Sequence, residues 1–465
     1  MPAWIGMAGM TTMSNKRSPM PSIEGLVEDL SHDGNGIIKI EGKVYFVPGV
    51  LPGERVSFLP KKKRRGKFEG VVESIITASS KRITSECEYF ERCGGCSFQH
   101  LKPDSQLRNK EKILFDNLQR LGRVEAMSRF EPIQSGLWKY RRKARPGIRF
   151  VPKKRGIMVG FREPGSSYIT SLQHCKALDS RISVLLPSLH ELIEKLSHND
   201  RIPQIEVAAA DNAVALVLRH LESLDEQDKA LIKDYAKRHQ LQFYSQSGGL
   251  NTITPIWPNV PEKLYYELKN FGLMMEFGPV DFIQVNGEVN QLMIEQAVSS
   301  LELEDGDRVL DMFCGLGNFT LPIATKGVEV LGIEGDDELV KKGQSNAMLN
   351  QLPNAQFAKA NLHASDLENV LDHTVIQTSG INKMLIDPPR SGALEVIKQL
   401  IPKLRPDILV YVSCNPATLG RDAEVMVHVN GYVLDKAGVI DMFPHTAHVE
   451  SMAVFRRVKN RIPFC

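Results

Sequence analysis

The chain after residue 275 alternates regularly between apolar runs and helical patterns, and this alternation constrains the fold more strongly than any other feature. A helical pattern covers 290–301, and the run 308–312 that follows it is typical of a buried strand. Further strand patterns, separated by helical periodicity, cover 328–333, 384–387 and 408–413. Strands joined in this way form a doubly wound parallel sheet, and the strand pattern within 433–458 predicts a terminal hairpin. We therefore predict a Rossmann-like α/β domain over 276–465.

Two other regions precede this domain, so the predicted fold class is multidomain α/β. Between residues 22 and 80, about five short runs alternate apolar and polar residues with turns between them, which predicts a small OB-like β-barrel. The region 81–275 opens with three cysteines and an amphipathic helical pattern over 104–121, and its later runs predict a mixed α/β domain. Residues 1–21 form an extension without an assigned role.

The sequence is typical of a cytoplasmic protein without a membrane partner. No run reaches the roughly 18 apolar residues that a membrane helix requires. The Met-rich start lacks the charged and apolar segments of a secretion signal. In such a compartment, the seven cysteines do not indicate a disulfide framework.

Positive charge is concentrated in two places, although the net charge is only +3. The block 61–67 consists almost entirely of lysine and arginine, and the stretch 138–155 interleaves cations with Trp138, Tyr140 and Phe150. Cations bind phosphates and aromatic rings stack on unpaired bases, so both places are candidate RNA contacts. A solvated charged loop is the alternative interpretation of either place alone.

The motif Asp311-Met-Phe-Cys-Gly-Leu-Gly-Asn318 follows a predicted strand and opens a helical pattern. Glycines there let the backbone approach a ligand at the carboxyl ends of the strands. Glu334 ends the next strand, where a carboxylate accepts the ribose hydroxyls of an adenosine. Thr320 holds the third glycine position of a dinucleotide motif, which argues against a dinucleotide. A nucleotide site without methyl transfer remains an alternative on these residues alone.

Asn361 and Asp387 follow the next two strand positions, so we expect their polar ends to face the same crevice. For Asn361 the alternative is a simple turn residue. Asp387 ends an apolar strand, and the two prolines after it stop both strand and helix. A carboxylate held rigidly at a strand end favours a ligand contact.

Cys414 ends the last parallel strand in the motif Ser413-Cys414-Asn-Pro. Methylation of uracil at carbon 5 requires a thiolate that adds to carbon 6, and then a base that removes the carbon-5 proton. Cys414 is the candidate nucleophile, and Glu450 is the candidate base. The alternative for Cys414 is a small buried apolar residue. The segment with His445, His448 and Glu450 has a strand pattern without the spacing of a metal site.

Together these residues resemble the RNA uracil-C5 methyltransferase family over nearly the whole chain. The motifs that resemble the family occur in its order: Phe282-Ile-Gln284-Val-Asn286, 311–318, Asp387-Pro-Pro-Arg-Ser-Gly, Ser413-Cys414-Asn-Pro and His448-Val-Glu450-Ser-Met. The resemblance implies that Cys414 is the nucleophile and Glu450 the base. It also implies a set of residues that line the pocket for S-adenosylmethionine and substrate: Gln284, Phe313, Asn318, Glu334, Asn361 and Asp387.

The N-terminal half resembles the family member that acts on the large-subunit, 23S, ribosomal RNA. The barrel is similar to a TRAM domain, an RNA-binding module. Four cysteines are similar to iron–sulfur ligands of that member: Cys87, Cys93, Cys96 and Cys175. Four thiolates suit either a [4Fe-4S] cluster or zinc, and the resemblance favours the cluster. The tRNA member of the family lacks both the barrel and these cysteines.

Three alternatives remain beside this interpretation. The same reaction on tRNA or on another ribosomal site is the nearest. A radical S-adenosylmethionine enzyme would have Cys-x3-Cys-x2-Cys, whereas here the first spacing is five and Cys175 supplies a fourth ligand. A non-catalytic iron–sulfur RNA-binding or assembly factor would account for the barrel and the basic stretches, but it leaves Cys414 and Glu450 unexplained.

Overall fold

The computed structural model describes residues 21–61, 66–152, 156–364, 367 and 380–458. The chain divides into two compact units, the first ending at Arg82 and the second beginning at Ile83. Several predicted features lie outside the described residues: most of the N-terminal extension, the middle of the basic block at 62–65, and the cations at 153–155. The predicted boundary at 275/276 within the second unit stays a prediction.

The first unit is a closed five-stranded barrel, as predicted, in the order β1-β2-β3-β5-β4. Its strands are β1 (Ile23–Leu30), β2 (Gly36–Ile40), β3 (Lys43–Val47), β4 (Arg55–Pro60) and β5 (Phe68–Thr77). Because apolar and polar residues alternate along the strands, the side chains of Val27, Ile38 and Phe58 face the interior of the barrel and are almost completely buried. The buried carboxylate of Glu54 accepts hydrogen bonds from Arg82 (2.6 Å) and from the amides of Leu51 and Ser79 (2.8 and 3.1 Å). Burial alone would raise the pKa of Glu54, but these contacts together outweigh it and lower the pKa.

The part of the second unit up to residue 277 is mixed α and β, as predicted. Its helices are α1 (Pro103–Arg120), α2 (Ser180–Ser183), α3 (Leu186–Glu194) and α4 (Glu226–Arg238). Its strands are β6 (Ser128–Arg129), β7 (Lys143–Ala144), β8 (Gly147–Val151), β9 (Gly156–Arg162), β10 (Ile169–Ser171), β11 (Gln204–Ala209), β12 (Val214–Arg219), β13 (Leu241–Gln246), β14 (Ile253–Trp257), β15 (Leu264–Leu268) and β16 (Leu273–Phe277). Strands β7–β14 form one sheet in the order β10-β9-β8-β11-β12-β13-β14, with β7 beside β11, and β15 and β16 form a separate hairpin.

The last part of the chain is built around a largely parallel sheet. Its helices are α5 (Gly287–Ser300), α6 (Thr320–Ala324), α7 (Asp337–Leu349), α8 (Leu394–Gln399), α9 (Ile401–Leu404) and α10 (Pro416–Glu424). Its strands are β17 (Arg308–Met312), β18 (Glu329–Glu334), β19 (Ala355–Lys359), β20 (Lys383–Ile386), β21 (Ile408–Ser413), β22 (Tyr432–Ile440) and β23 (Glu450–Arg457). Among the described residues the order is β19-β18-β17-β20-β21-β23-β22-β6. The chain reverses its direction of winding between β17 and β20, and this switch point is where such sheets bind ligands.

Both faces of this sheet are covered, which explains its continuous apolar strands. Val309 and Val410 pack into a core on one face, whereas their neighbours Leu310 and Leu409 pack into a core on the other. Helix α1 covers the second face with Leu114 and other apolar residues. The predicted doubly wound sheet and terminal hairpin are therefore confirmed. In the described parts of the chain, no helix combines the length and the apolar character needed to span a membrane.

Candidate active site

The loop after β17 is shaped by three residues with left-handed backbone conformation, Phe313, Gly315 and Gly317 (φ 63°, 56° and 97°). At Gly317 a side chain would also meet the ring of Phe357, since an added Cβ would lie 3.0 Å from it. The amide of Gly315 donates a hydrogen bond to Glu334 Oε2 (3.1 Å). The carboxylate at the end of β18 therefore lies against the glycine loop, as the sequence predicts.

Asn318, at the end of this loop, is held by two residues that the sequence analysis did not identify. Its Oδ1 accepts hydrogen bonds from Tyr266 (2.9 Å) and from Asn290 Nδ2 (3.1 Å), and its Nδ2 donates to Asn290 Oδ1 (2.9 Å). Asn290 is 4% exposed within α5. A polar residue at a buried position of a helical pattern was the sequence feature that could have identified it. Gln284 lies partly buried in the segment just before α5, where Asn286 caps the helix through the Val289 amide.

Asn361 lies in the turn after β19 and is exposed. Its Oδ1 accepts a hydrogen bond from the amide of His363 (3.2 Å), which is a contact within its own turn. The ring of His363 lies 5.6 Å from that of Phe313, so this turn borders the glycine loop. The structure brings Asn361 to the same edge of the sheet as Glu334, because the amide of Ala360 bonds the Glu334 carbonyl.

Two carboxyl groups at the switch point are strongly desolvated. Asp311 is 0% exposed, and its Oδ2 accepts a hydrogen bond from Thr320 Oγ1 (2.5 Å), while its Oδ1 has no hydrogen-bond partner among the residues that the structure describes. Burial raises the pKa of Asp311 to about 8, and burial raises the pKa of Asp387 to about 7. A cationic ligand would restore the charged form of these groups, so the crevice favours a positively charged ligand over an anion.

Cys414 and Glu450 are placed opposite each other by strand register. The last cross-strand pair between β21 and β23 joins Ser413 to Ser451, and both serines are buried. Cys414 follows the first serine and Glu450 precedes the second, so they occupy the next position of the antiparallel register. Burial, with Glu450 and Asp387 nearby, raises the pKa of Cys414 to about 11. Burial, with a smaller contribution from Asp387, raises the pKa of Glu450 to about 8.

Arg390 is a nearby cation that opposes both shifts, and the sequence analysis gave it no role. Its guanidinium lowers the pKa of both Cys414 and Glu450, although burial outweighs it in each case. The backbone carbonyl of Arg390 accepts a hydrogen bond from Asn415 Nδ2 (3.0 Å), and its side chain lies 3.2 Å from His448 Nδ1. The two prolines that precede Arg390 follow the end of β20, and Arg390 lies close enough to Cys414 to affect its pKa.

Residues 441–449 form a turn between β22 and β23, here named the 441–449 turn. The predicted strand character of this segment is wrong before Glu450, because His445 has φ 64° and its carbonyl accepts hydrogen bonds from the amides of Ser97 and Phe98 (both 2.9 Å). The ring of His445 stacks on Trp138 with centroids 4.0 Å apart. The segment after the third clustered cysteine is therefore joined directly to the turn that leads to Glu450.

The four predicted cluster cysteines line one cavity of about 210 Å³: Cys87, Cys93, Cys96 and Cys175. The walls are largely aromatic and apolar, and burial raises the pKa of Cys93 to about 11 and that of Cys96 to about 12, with the neighbouring thiols adding to both shifts. Within the residues that the structure describes, no group of three or more His, Cys, Asp or Glu side chains is arranged to hold a metal ion. An iron–sulfur site is therefore not shown, although the cysteines do converge.

Several cations of the basic stretch 138–155 are bound within the protein. Arg142 pairs with Asp211, and Glu206 pairs with both Lys143 (3.3 Å) and Arg145 (2.9 Å). Lys143 is buried, so it is not available to phosphates. Exposed cations of this stretch, such as Lys139 and Arg149, remain candidates for RNA contacts.

A family model described as tRNA (uracil-5-)-methyltransferase matches residues 104–458, which include the candidate nucleophile and base. The chain belongs to this family. A TRAM domain model matches residues 23–57, within the barrel. Membership of the tRNA (uracil-5-)-methyltransferase family confirms the predicted class of enzyme, and the TRAM match confirms the predicted barrel type.

Curated relatives in this family cover almost the whole chain. The protein named 23S rRNA (uracil(1939)-C(5))-methyltransferase RlmD in Thiobacillus denitrificans is 45% identical over 92% of this chain and 98% of its own. Its namesake in Acidithiobacillus ferrooxidans is 46% identical over 93% and 96%. A solved structure, Pyrococcus abyssi tRNA (uracil-54, C5)-methyltransferase with S-adenosyl-L-homocysteine, has a TM-score of 0.71 at 23% identity and covers 93% of this chain and 100% of its own. At that identity the likeness shows the fold of the tRNA (uracil-5-)-methyltransferase family.

Proposed function

We propose that this protein methylates carbon 5 of a uracil in 23S ribosomal RNA, with S-adenosylmethionine as the methyl donor. The proposed reaction is supported by the strand register, which sets Cys414 opposite Glu450 at the edge of a desolvated crevice. The choice of RNA is supported by relatives named as 23S rRNA methyltransferases, which match at 45–46% identity over nearly their full length.

Cys414 would act as the nucleophile. Its thiolate adds to carbon 6 of the uracil, and the resulting enolate directs electron density to carbon 5, which then takes the methyl group from the sulfonium. The free thiol is mostly protonated near neutral pH because burial raises its pKa to about 11. Arg390 stabilises the thiolate, and transfer of the thiol proton to a neighbouring carboxylate is the step that substrate binding must promote.

Glu450 would be the base that completes the reaction. After methyl transfer, carbon 5 carries both a proton and the methyl group, and loss of that proton restores the double bond and releases Cys414 as thiolate. A base works best when its pKa lies near the working pH. Burial raises the pKa of Glu450 to about 8, close to that range, so the carboxylate binds the proton well and still deprotonates between turnovers.

The crevice at the switch point would hold the methyl donor. Glu334 would accept the ribose hydroxyls, and Asn318 is fixed beside it by Asn290 and Tyr266. The carboxylate of Asp387 would face the cationic half of the donor, which suits its desolvated environment. The remaining family residues, Gln284, Phe313 and Asn361, would complete the pocket for donor and uracil.

We further propose that Cys87, Cys93, Cys96 and Cys175 hold a [4Fe-4S] cluster. The convergence of four partly buried cysteines on one cavity supports this proposal. Four thiolates are the usual ligand set of such a cluster, and zinc accepts the same set, so metal analysis must distinguish the two. When bound, the cluster would cross-link the Cys87–Cys96 segment to Cys175. It need not exchange electrons in turnover, because thiolate addition and sulfonium transfer both move electron pairs.

The TRAM barrel and the exposed cations would bind the RNA around the target in the cytoplasm. The uracil must be single-stranded or turned out of its stack, because carbon 6 is inaccessible within a duplex.

The test is a methylation assay with the purified protein on three RNAs without ribosomal protein: 23S rRNA, 16S rRNA and bulk tRNA. We expect methyl incorporation into 23S rRNA alone, at one uridine that can be mapped as 5-methyluridine. Methylation of tRNA with 23S rRNA left unmodified would overturn the proposed substrate and leave the reaction class intact. Methylation at another atom of the base would overturn the proposed reaction.

A further inference from the structure

Helix α1 carries two buried polar residues four positions apart, Gln106 and Lys110, which therefore lie on one face of the helix. Lys110 is 0% exposed, and its Nζ donates hydrogen bonds to Asp441 Oδ1 (2.6 Å) and to the carbonyl of Phe443 (2.9 Å). Both partners belong to the 441–449 turn. Lys110 of α1 is thus buried against the 441–449 turn, which directly precedes Glu450.

Gln106 holds the same turn without a charge. Its Oε1 accepts a hydrogen bond from the amide of His445 (2.9 Å), and its Nε2 donates to the carbonyls of Phe98 (3.0 Å) and Leu101 (2.8 Å). The two α1 side chains therefore fix the start and the middle of the 441–449 turn. They differ in that only Lys110 carries a charge, and this difference makes them separable by experiment.

The hairpin register connects Lys110 to the base. Ile440 at the end of β22 pairs with Glu450 at the start of β23, and Asp441 directly follows Ile440. The lysine–aspartate pair therefore lies one residue beyond the cross-strand partner of Glu450. Burying such a pair costs about as much desolvation energy as its attraction returns, so overall stability gives no sufficient reason for it.

Charged and titratable groups reach Glu450 from several packed elements. Asp387 lies at the end of β20, Arg390 in the loop after it, Cys414 at the end of β21, and Lys110 on α1. Asp387 makes the charged form of Glu450 less favourable, whereas the two cations make it more favourable. Arg390 is exposed and lies beside Cys414, so Lys110 is the fully buried cation among these groups.

We infer that Lys110 is a positioning residue for proton removal: through Asp441 it fixes the hairpin end that carries Glu450, and its buried charge increases the fraction of Glu450 that is ionised between turnovers. This inference rests on the proposed role of Glu450 as base. Burial raises the pKa of Glu450, and the Lys110 ammonium limits that rise. Without the ammonium, a larger fraction of Glu450 would be protonated at neutral pH and unable to accept the carbon-5 proton.

The experiment follows release of the covalent protein–RNA adduct in single turnovers across pH, using the complete protein and the RNA that it methylates. Three variants are compared with wild type: Lys110→Met, Lys110→Met/Asp441→Asn, and Gln106→Met. The double variant leaves no unpaired buried carboxylate, so it keeps the test available if the single variant fails to fold. Lys112→Met is the matched control, because Lys112 is on the same helix, partly exposed, and paired with Asp116 (3.1 Å).

We expect Lys110→Met to slow release roughly three- to tenfold at neutral pH and to move the rising limb of the pH profile upward by about half a unit to one unit. The double variant, which also loses the Asp441 anion, should move the limb in the same direction by a smaller amount. Gln106→Met should slow release at every pH without moving the limb, because it disturbs the turn and removes no charge. Lys112→Met should match wild type in both respects. Folding is checked by thermal unfolding and by affinity for the methyl donor.

An unmoved limb in a folded Lys110 variant would overturn the inference, as would an equal shift in Gln106→Met. Glu450→Gln distinguishes this failure from failure of the proposed base. If Glu450→Gln traps the adduct while Lys110→Met leaves the limb in place, the base assignment stands and the role of Lys110 is wrong. If Glu450→Gln releases product at the wild-type rate, both are wrong.

Discussion

Cys414 and Glu450 occupy opposite positions one step beyond the last cross-strand pair of β21 and β23. The two residues lie 36 positions apart in the chain, and the antiparallel register of β21 and β23 brings them to facing positions. Because β23 is the antiparallel strand of an otherwise parallel arrangement, the start of β23 meets the end of β21. The terminal hairpin thus delivers a carboxylate to the edge at which the parallel strands bind ligands.

Replacing Cys414 with alanine should abolish methyl transfer. Removal of a covalent nucleophile typically costs several orders of magnitude, so we expect a loss of about 10⁴-fold or more in single-turnover rate. Affinity for S-adenosylmethionine, measured by calorimetry, should stay close to the wild-type value and serves as the folding control. Substantial turnover by the purified variant would show that another group attacks carbon 6.

Replacing Glu450 with glutamine should separate methylation from release. The variant keeps Cys414 and should still attack and methylate, but it cannot take the carbon-5 proton, so a covalent protein–RNA adduct should accumulate. Denaturing gel electrophoresis with labelled RNA detects the adduct, and the double variant with Cys414→Ala should lose it. A fully active variant without adduct would direct attention to His445 and His448.

Sequence periodicity predicted the fold well because strands buried on both faces have continuous apolar runs. The run 308–312 coincides with β17, and the predicted hairpin coincides with β22 and β23. Prediction was wrong for the segment at His445, whose strand-like pattern is broken by a left-handed backbone at φ 64°. That conformation is held by hydrogen bonds that the His445 carbonyl accepts from the amides of Ser97 and Phe98 and that the His445 amide donates to Gln106. These three residues lie more than 300 positions away in the chain.

The sequence analysis found candidate site residues that belong to short motifs, and it missed residues that reach the site only through contacts between distant parts of the chain. Cys414, Glu334 and Asp387 end strands within short motifs, so a single sequence places them at one edge of the sheet. Lys110 and Asp441 are 331 positions apart and neither belongs to a motif. A lone lysine in an amphipathic helix is ordinarily a solvated residue, and only tertiary packing shows that this one is buried.

Binding of S-adenosylmethionine should become tighter as the pH rises from 6 to 8. Burial raises the pKa of Asp387 to about 7, so this carboxyl is neutral below that pH and charged above it. The donor is a cation and binds the charged form better, which gives up to about a tenfold gain in affinity per pH unit below the pKa. Calorimetry at the two pH values measures the change.

Asp387→Asn should weaken donor binding and reduce its dependence on pH. Any pH dependence of donor affinity that remains in this variant would come from titration of Asp311 and Glu450, since burial raises the pKa of each to about 8. Equal affinity of the wild-type protein at pH 6 and pH 8 would contradict the proposed contact between Asp387 and the cationic part of the donor.

Protein purified without oxygen should contain about four iron and four sulfide per chain, from the formula of the proposed cluster. Cys96→Ser should lower both contents in parallel and broaden thermal unfolding, because the cluster would cross-link the cysteine segment to Cys175. Cys314→Ser is the comparison, since Cys314 is buried within the glycine loop and does not line the cysteine cavity. Stoichiometric zinc without iron would refute the cluster and retain a metal site.

The first unit should contribute to RNA affinity mainly through its cations. Each phosphate contact adds roughly 0.7 to the slope of log affinity against log salt on single-stranded RNA. Replacing the lysines and arginines of the block 61–67 with glutamine should therefore weaken RNA binding and flatten its salt dependence. Deleting the chain up to Arg82 should have at least as large an effect, because it removes the whole compact barrel unit. In both proteins the affinity for S-adenosylmethionine should be nearly unchanged, since the donor crevice lies in the second unit. Equal RNA affinity and equal salt slope for the wild-type and substituted proteins would show that the lysines are only solvated and would remove the barrel from substrate binding.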